Sequence, residues 1–424
     1  MIRTLINPLI LIYVVSAFVF TLREFGGIDY PELSGETVIF YILQLLIFSI
    51  CFIVSFFLSR PWPAAQYDSQ THEWLNKKVN KLYYISLFFS SIWLIFACLD
   101  SYSNIAALSQ GITQARFNSI GSEIEGSFSG IIKHFTLGFP VVIAVISIIY
   151  REFLSKNKKR ISSCIFIISI LFGFIDGGRN PAFISLAMLF FAYLLSRSKQ
   201  IIVGNKLLIR TKLLLFVGIL LVFTIFITFF IERADLRGRD AYSEIDNIAY
   251  GFGEGGWVTE VNNPTPPLQI YTMFNFYITH AINEVNFAIE RKDGPFYGAL
   301  SFYLPAALLR KFGVEIPNIN TLVSSLNKQG AYLGLQGSMY LDFGYYGAIL
   351  IYGLIGTLSG FLYKKIKTGI NPTTDLVGVW VLVMIALSYF YPIFSVGNGF
   401  SILSAIIACY VFSKLTISKE ISFV

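Results

Sequence analysis

Four arginines are the residues of this chain whose type and spacing best suit chemistry on an anion. Arg179 lies in "FIDGGRNPAF" (174–183), between two strongly apolar runs, and Arg233, Arg237 and Arg239 follow the next apolar run in "FIERADLRGRDAY" (230–242). A guanidinium stays charged and offers a planar fork of donors that matches phosphate oxygens. If a helix continues past Phe230, Arg233 and Arg237 are four apart and share one face. With Arg179 from a neighbouring hairpin they would suit a diphosphate. Plainer roles stand beside this one. Arg179 can pair with Asp176 or snorkel to lipid headgroups, and Asp235 and Arg239, also four apart, can lace a helix end with Glu232 adjacent.

Candidates for proton transfer are fewer. His280 and Glu284 stand four apart in "YITHAINEVNF" (277–287), a spacing that lets a carboxylate orient an imidazole as a base, although a lone histidine is more often structural. Asp342 lies in "GSMYLDFGYYGAIL" (337–350), at the outer end of the span that this stretch begins. It is either a favourable charge at a helix N-terminus or a carboxylate available to an acceptor hydroxyl. The Gly-rich "YGFGEGGW" (250–257) is followed by no P-loop lysine, which disfavours nucleotide binding. No D-x-D pair is present to hold a metal-bound sugar nucleotide, and "EIE" (123–125) reads as a solvated loop. Cys51, Cys98, Cys164 and Cys409 lie in or beside apolar runs without C-x-x-C spacing, so they read as core filler rather than as disulfides or zinc ligands.

The elements that must position these residues are membrane spans. Of the 424 residues 55% are hydrophobic and 13% charged, against about 25% charged in a soluble domain. The apolar residues come in runs long enough to cross a hydrocarbon layer of roughly 30 Å. Spans are expected near 5–22, 37–58, 82–99, 134–150, 161–176, 181–196, 213–231, 338–363, 375–393 and 399–415. The first reads as a retained span, since no small-residue cleavage site follows it. Lys and Arg gather in 59–81, 151–160, 196–212 and 364–367, while the alternate connections are acidic or mixed. Basic loops stay on the cytoplasmic side, so both ends of the chain are expected there. The net charge of +7 is explained by these loops and does not point to nucleic acid.

Three parts follow: a bundle of seven spans (1–231), a long outer segment (232–337), and a bundle of three spans with a short cytoplasmic tail (338–424). The outer segment is rich in aromatic residues. Its semi-apolar stretches 268–290 and 295–309 read as interfacial or re-entrant helices, or as a further pair of spans that would raise the total from ten to twelve. Gly177 and Gly178 permit a tight reversal between the fifth and sixth spans, with Pro181 suited to the next first turn. Gly356 and Gly360 give the small-xxx-small spacing of closely packed membrane helices.

Together these features resemble the Wzy-type O-antigen and oligosaccharide repeat-unit polymerases of bacteria. The resemblance rests on the topology, on "DGGRNPAF", which is similar to that family's small-residue turn with arginine, and on "GSMYLDFGYYGAIL", which is similar to a stretch opening a span after the large loop. It implies an all-α polytopic membrane protein with a GT-C-like architecture in the inner membrane, working at the periplasmic face. Such an enzyme moves a growing glycan from undecaprenyl diphosphate onto an incoming undecaprenyl-diphosphate-linked repeat unit, without nucleotide, metal or redox cofactor. By that resemblance Arg179, Arg233, Arg237 and Arg239 hold the diphosphate. Asp342, or His280 with Glu284, accepts the hydroxyl proton. Membrane lipids and a chain-length regulator are the partners implied. An O-antigen ligase is the nearest alternative, though "YITHAINEVNF" does not match the His-containing stretch of those enzymes. A flippase or transporter of lipid-linked oligosaccharide is the other.

Overall fold

The computed structural model describes residues 6–60, 69–100, 128–175, 179–203, 265–316, 333–394 and 398–415, and among them there is no β-strand. In chain order the helices are α1 (Pro8–Phe25), α2 (Gly35–Leu58), α3 (Ser69–Asp100), α4 (Phe128–Thr136), α5 (Gly138–Ile149), α6 (Lys156–Ile175), α7 (Arg179–Val203), α8 (Pro266–Arg291), α9 (Tyr303–Lys311), α10 (Gly334–Thr368), α11 (Pro372–Leu387) and α12 (Asn398–Leu415). Several starts are written in the sequence. Asn7 and Asn371 accept from the amides of Leu9 (3.0 Å) and Thr373 (3.1 Å), each followed by proline in the first turn. Ser34 accepts from Thr37 N at 3.2 Å. These are ordinary N-caps that satisfy amides a helix leaves open.

Six of the described helices are long and apolar enough to cross a membrane: α1, α2, α3, the stretch Ile132–Ile149, the Ala182–Lys199 part of α7, and α10; α11 and α12 are shorter apolar helices. The lipid-facing sides are as greasy as the core. On α2, Phe40, Phe48 and Phe52 are buried while Ile39, Ile42, Leu46, Ile50 and Phe57 are exposed. A helix apolar all round in this way suits hydrocarbon rather than water. The described residues are all-α, and the protein is a multi-pass membrane protein.

Several boundaries differ from the expected spans, for identifiable reasons. The third helix begins at Ser69 rather than near 82, because its polar first turns are held by pairs such as Glu73 and Lys77 (2.8 Å). The fourth is two helices that part at Leu137. Pro140 supplies no amide and its ring crowds the carbonyl four residues back, which is where α4 stops. The apolar run expected at 213–231 lies outside the described residues. Helices α6 and α7 pack together with only residues 176–178 between them, as the hairpin reading expects.

Helix α10 departs most. It is broken at Gly344, whose φ of 69° and ψ of −178° lie in a region open to glycine. Residues 334–343 form a half-helix buried as far as Asp342, and residues 345–368 form a span packed along α2. A Cβ on Gly356 would overlap the Phe48 carbonyl oxygen, and one on Gly360 would overlap that of Phe52. The small-residue spacing is therefore used for close backbone approach. Tyr345 reaches the Glu36 carbonyl while Gly360 meets Phe52, so the two helices run in the same direction.

This packing defines two ends of the bundle. One carries Arg23, the 26–34 connection and α8. The other carries Lys78, which donates to Asn371 at 3.0 Å, and a buried cluster in which Lys199 and Tyr150 both donate to Asp375 Oδ2.

Candidate functional site

Helix α8 carries two of the expected proton-transfer residues, and its sequence explains how it is fixed. At about 100° per residue, Tyr271, Asn275, Thr279, Asn283 and Asn286 form one polar stripe. Every member reaches the last turn of α1 or the connection that follows it. Asn275 Nδ2 donates to the Gly26 carbonyl at 2.8 Å, and Tyr271 Oη to the same oxygen at 3.1 Å. The Thr279 and Tyr30 hydroxyls lie 2.7 Å apart. Asn283 Oδ1 accepts from Arg23 Nη2 at 3.0 Å, and Asn286 Oδ1 accepts from Ser34 N at 2.9 Å. Arg23 is only 4% exposed and also donates to Glu24 and to the Pro31 carbonyl. Burial holds the Tyr30 phenol far above its usual range, against smaller lowering pulls from Thr279 and Arg23, so it works as a neutral partner.

A second face of α8, formed by Ile278, Ile282, Val285 and Ile289, is buried in the apolar core. Its Val285 meets Gly337 at the start of α10. His280 and Glu284 occupy the third face, beside the polar stripe, and both are buried. The expectation for 268–290 was an interfacial or re-entrant helix, or one of a further pair of spans. From Asn275 to Ile289 the helix is enclosed on all sides, with Tyr277 and Phe287 half-buried. Its modest hydropathy comes from the polar stripe, which faces a protein loop rather than water.

The His280 ring is oriented by its own helix. Its Nδ1 lies 2.7 Å from the Phe276 carbonyl oxygen, and the ring stacks on Phe276 with centroids 4.7 Å apart. A carbonyl can only accept, so Nδ1 carries a proton and Nε2 is the basic nitrogen of the ring.

Asp342 stands apart from this pair. Its Oδ1 accepts from Leu300 N at 3.0 Å and its Oδ2 from Ser301 N at 2.6 Å. The neighbouring backbone adds Phe296 N to the Leu341 carbonyl at 2.8 Å and Tyr297 N to the Asp342 carbonyl at 2.9 Å. The carboxylate thus holds the turn that leads from α8 into α9, which begins only at Tyr303, later than the expected 295–309. The register separates the sites: Val285 meets Gly337 and Gly294 meets Leu341, so Asp342 lies beyond the C-terminal end of α8 while His280 lies five residues before Val285. Asp342 lies well inside α10 rather than at its N-terminus, and its carboxylate is taken up by amides of the turn before another helix.

Of the arginines, Arg179 is the first residue of α7, at the start of the second arm of the hairpin. Arg233, Arg237 and Arg239 lie outside the described residues. Arg23 was missed by sequence reasoning. It carried the signal used for Arg179, a cation on the side of the bundle opposite the basic loops.

Against this geometry, the profile of the family described as O-antigen polysaccharide polymerase Wzy matches residues 4–254, more than half of the chain. The chain belongs to this family. Membership makes it a membrane polymerase of O-antigen polysaccharide that acts on lipid-linked oligosaccharide repeat units. No curated protein matches the chain, and no solved structure does. The part matched to Wzy includes Arg23, Arg179, Arg233, Arg237 and Arg239; His280, Glu284 and Asp342 lie beyond it.

Proposed function

We propose that this Wzy-family chain joins repeat units at the periplasmic face of the bacterial inner membrane, with a GT-C-like architecture. In this reading it transfers the growing glycan from undecaprenyl diphosphate to an incoming undecaprenyl-diphosphate-linked unit. The observation that carries the reading is the family match over residues 4–254. Orientation is supported by charge: Lys78, Lys199 and Asp375 lie at the end opposite Arg23, and the positive-inside trend puts a lysine-rich end in the cytoplasm. Arg23, α8 and the beginning of α7 then face the periplasm, and both chain ends the cytoplasm.

The chemistry is a displacement at the anomeric carbon of the donor. His280 Nε2 takes the proton of the acceptor hydroxyl as its oxygen bonds to that carbon, with Glu284 on the same face to stabilise the imidazolium. The bond from the anomeric carbon to the diphosphate oxygen breaks, and the lipid diphosphate leaves with the electron pair. Arg179, Arg233, Arg237 and Arg239 hold that leaving group and stabilise its developing charge. This division of labour asks for no nucleotide, metal or redox cofactor. Asp342 is assigned to the turn before α9, and a chain-length regulator is the partner that sets polymer length.

The test is a host deleted for the gene and complemented with wild type, Arg179→Ala or His280→Ala, its surface glycolipids separated on a gel. The reading expects a single repeat unit on the lipid acceptor in the deletion, a ladder with wild type, and no ladder with either variant at normal protein level. If no repeat unit reaches the acceptor in the deletion, polymerisation is not the step this protein performs.

A further inference from the structure

The carbonyls of Ser388 and Tyr389, just past the end of α11, are the centre of a polar group buried among the spans. Leu335 N donates to the Ser388 carbonyl at 2.6 Å, and Gly334 packs on the Tyr389 carbonyl. The Tyr389 hydroxyl lies 2.7 Å from Ser16 Oγ, and its ring stacks on Tyr41 with centroids 5.8 Å apart. Tyr352, from α10, lies close to Tyr41, Ser388 and Tyr389. Gln44 is one turn from Tyr41 on the same side of α2.

Several of these groups have nothing to bond to. Gln336 Nε2 and both amide atoms of Gln44 lack a hydrogen-bond partner among the described residues, and the Tyr352 hydroxyl has only the Ser388 side chain within reach. Gln336 and Gln44 are 1% exposed and Tyr352 is 2% exposed. A buried donor without a partner costs several kcal/mol in hydrocarbon, so such a group asks for an occupant. Two features say what kind. Helix geometry leaves the amides of Gly334 and Gln336 without an intrahelical acceptor, and the helix dipole adds positive potential at that point. The Gln336 side chain, in the first turn, inclines toward the same N-terminus. The unpartnered groups are mostly donors.

We propose that the start of α10, with Gln336, Tyr352 and the amides of Gly334 and Gln336, is a subsite for a phosphate oxygen of the prenyl-linked substrate. This assignment rests on the polymerase reading and adds to it a phosphate contact made without arginine.

The experiment uses the full-length protein purified in detergent and titrated calorimetrically with farnesyl diphosphate, farnesol or phosphatidylglycerol. Wild type should bind the diphosphate in preference to the alcohol. Gln336→Leu should weaken binding roughly tenfold or more, as expected for losing a hydrogen bond to a charged acceptor. Tyr352→Phe, which keeps the ring and removes only the hydroxyl, should weaken it several-fold and guards against a folding defect in the first variant. Unchanged affinity in both variants overturns the site and leaves the donors facing water only. Displacement of farnesyl diphosphate by equimolar phosphatidylglycerol overturns the substrate assignment in favour of a lipid headgroup. Unchanged affinity together with a lost ladder in the deletion strain sinks this site alone, whereas weakened binding with an intact ladder in that strain sinks the polymerase reading and leaves the site standing.

Discussion

Arg23 Nη2 and Nε lie 3.0 Å and 3.3 Å from Asn283 Oδ1, so one buried guanidinium ties the last turn of the first span to the middle of α8. The bond is central in the stripe that fixes the rotation of α8 about its axis, and that rotation sets where His280 and Glu284 point.

Asn283→Leu removes the acceptor and leaves two N–H groups of Arg23 against an apolar side chain. An unsatisfied buried group costs about 1–3 kcal/mol. The thermal midpoint in detergent should fall, and the glycan ladder should shorten or vanish. Asn283→Asp keeps an acceptor and adds a charge complementary to Arg23, so it should retain most of the wild-type midpoint. Equal loss in both variants would show that the Arg23 contact is not what positions α8.

Asp342→Asn separates a brace from a base. The carboxylate serves two amides, Leu300 N and Ser301 N, and an asparagine side chain has one acceptor oxygen, so one amide would then face an NH2 group. A stability loss of about 1–3 kcal/mol is expected, with activity per folded molecule largely kept. A variant that is as stable as wild type yet inactive would return Asp342 to the proton-transfer role.

The contact of α10 with α2 predicts a steep size dependence. A Cβ at Gly360 would overlap both the Phe52 carbonyl oxygen and Ser55 Oγ. Gly360→Val should therefore push the helices apart and cost about 1–3 kcal/mol or more, seen as a lower midpoint and less protein in the membrane. Gly35, where a Cβ meets nothing within 4 Å, is the control: Gly35→Ala should leave both measures unchanged.

Length and polarity alone made much of the bundle legible in the sequence. The apolar runs locate α1, α2, α7 and α12, and the spacing of Gly356 and Gly360 marks the close α2–α10 contact, because each is a one-dimensional signal. The residues that join elements far apart in the chain were not legible. Asn275, Thr279, Asn283 and Asn286 carried no signal beyond the mixed polarity of 268–290, since periodicity tells which residues share a face but not what covers it. Asp342 was seen as a charge near a helix start, yet the amides it serves are about forty positions earlier. The break at Gly344 was hidden because glycine is also ordinary in a packed membrane helix. Gln336 and Gln44 carry no motif at all, and only their burial without partners singles them out.

The cluster at the other end of the bundle gives a prediction that should leave catalysis alone. Lys199 and Asp375 form an ion pair with side-chain exposures of 9% and 0%, and Tyr150 donates to the same carboxylate oxygen. Removing one member strands the other charge in the core, which costs about 3–5 kcal/mol. Lys199→Met should therefore be severely destabilised. Lys199→Met combined with Asp375→Leu removes both charges, and replacing a buried pair by apolar residues of similar volume is often neutral or stabilising. The double variant should thus recover much of the lost stability, read as the midpoint in detergent, and the ladder should return with it. A double variant as unstable as Lys199→Met would mean that the cost lies in the Lys199 stem or in the Tyr150 hydroxyl rather than in the stranded carboxylate. Full stability without a ladder would instead tie the ion pair to the reaction at the far end of the bundle.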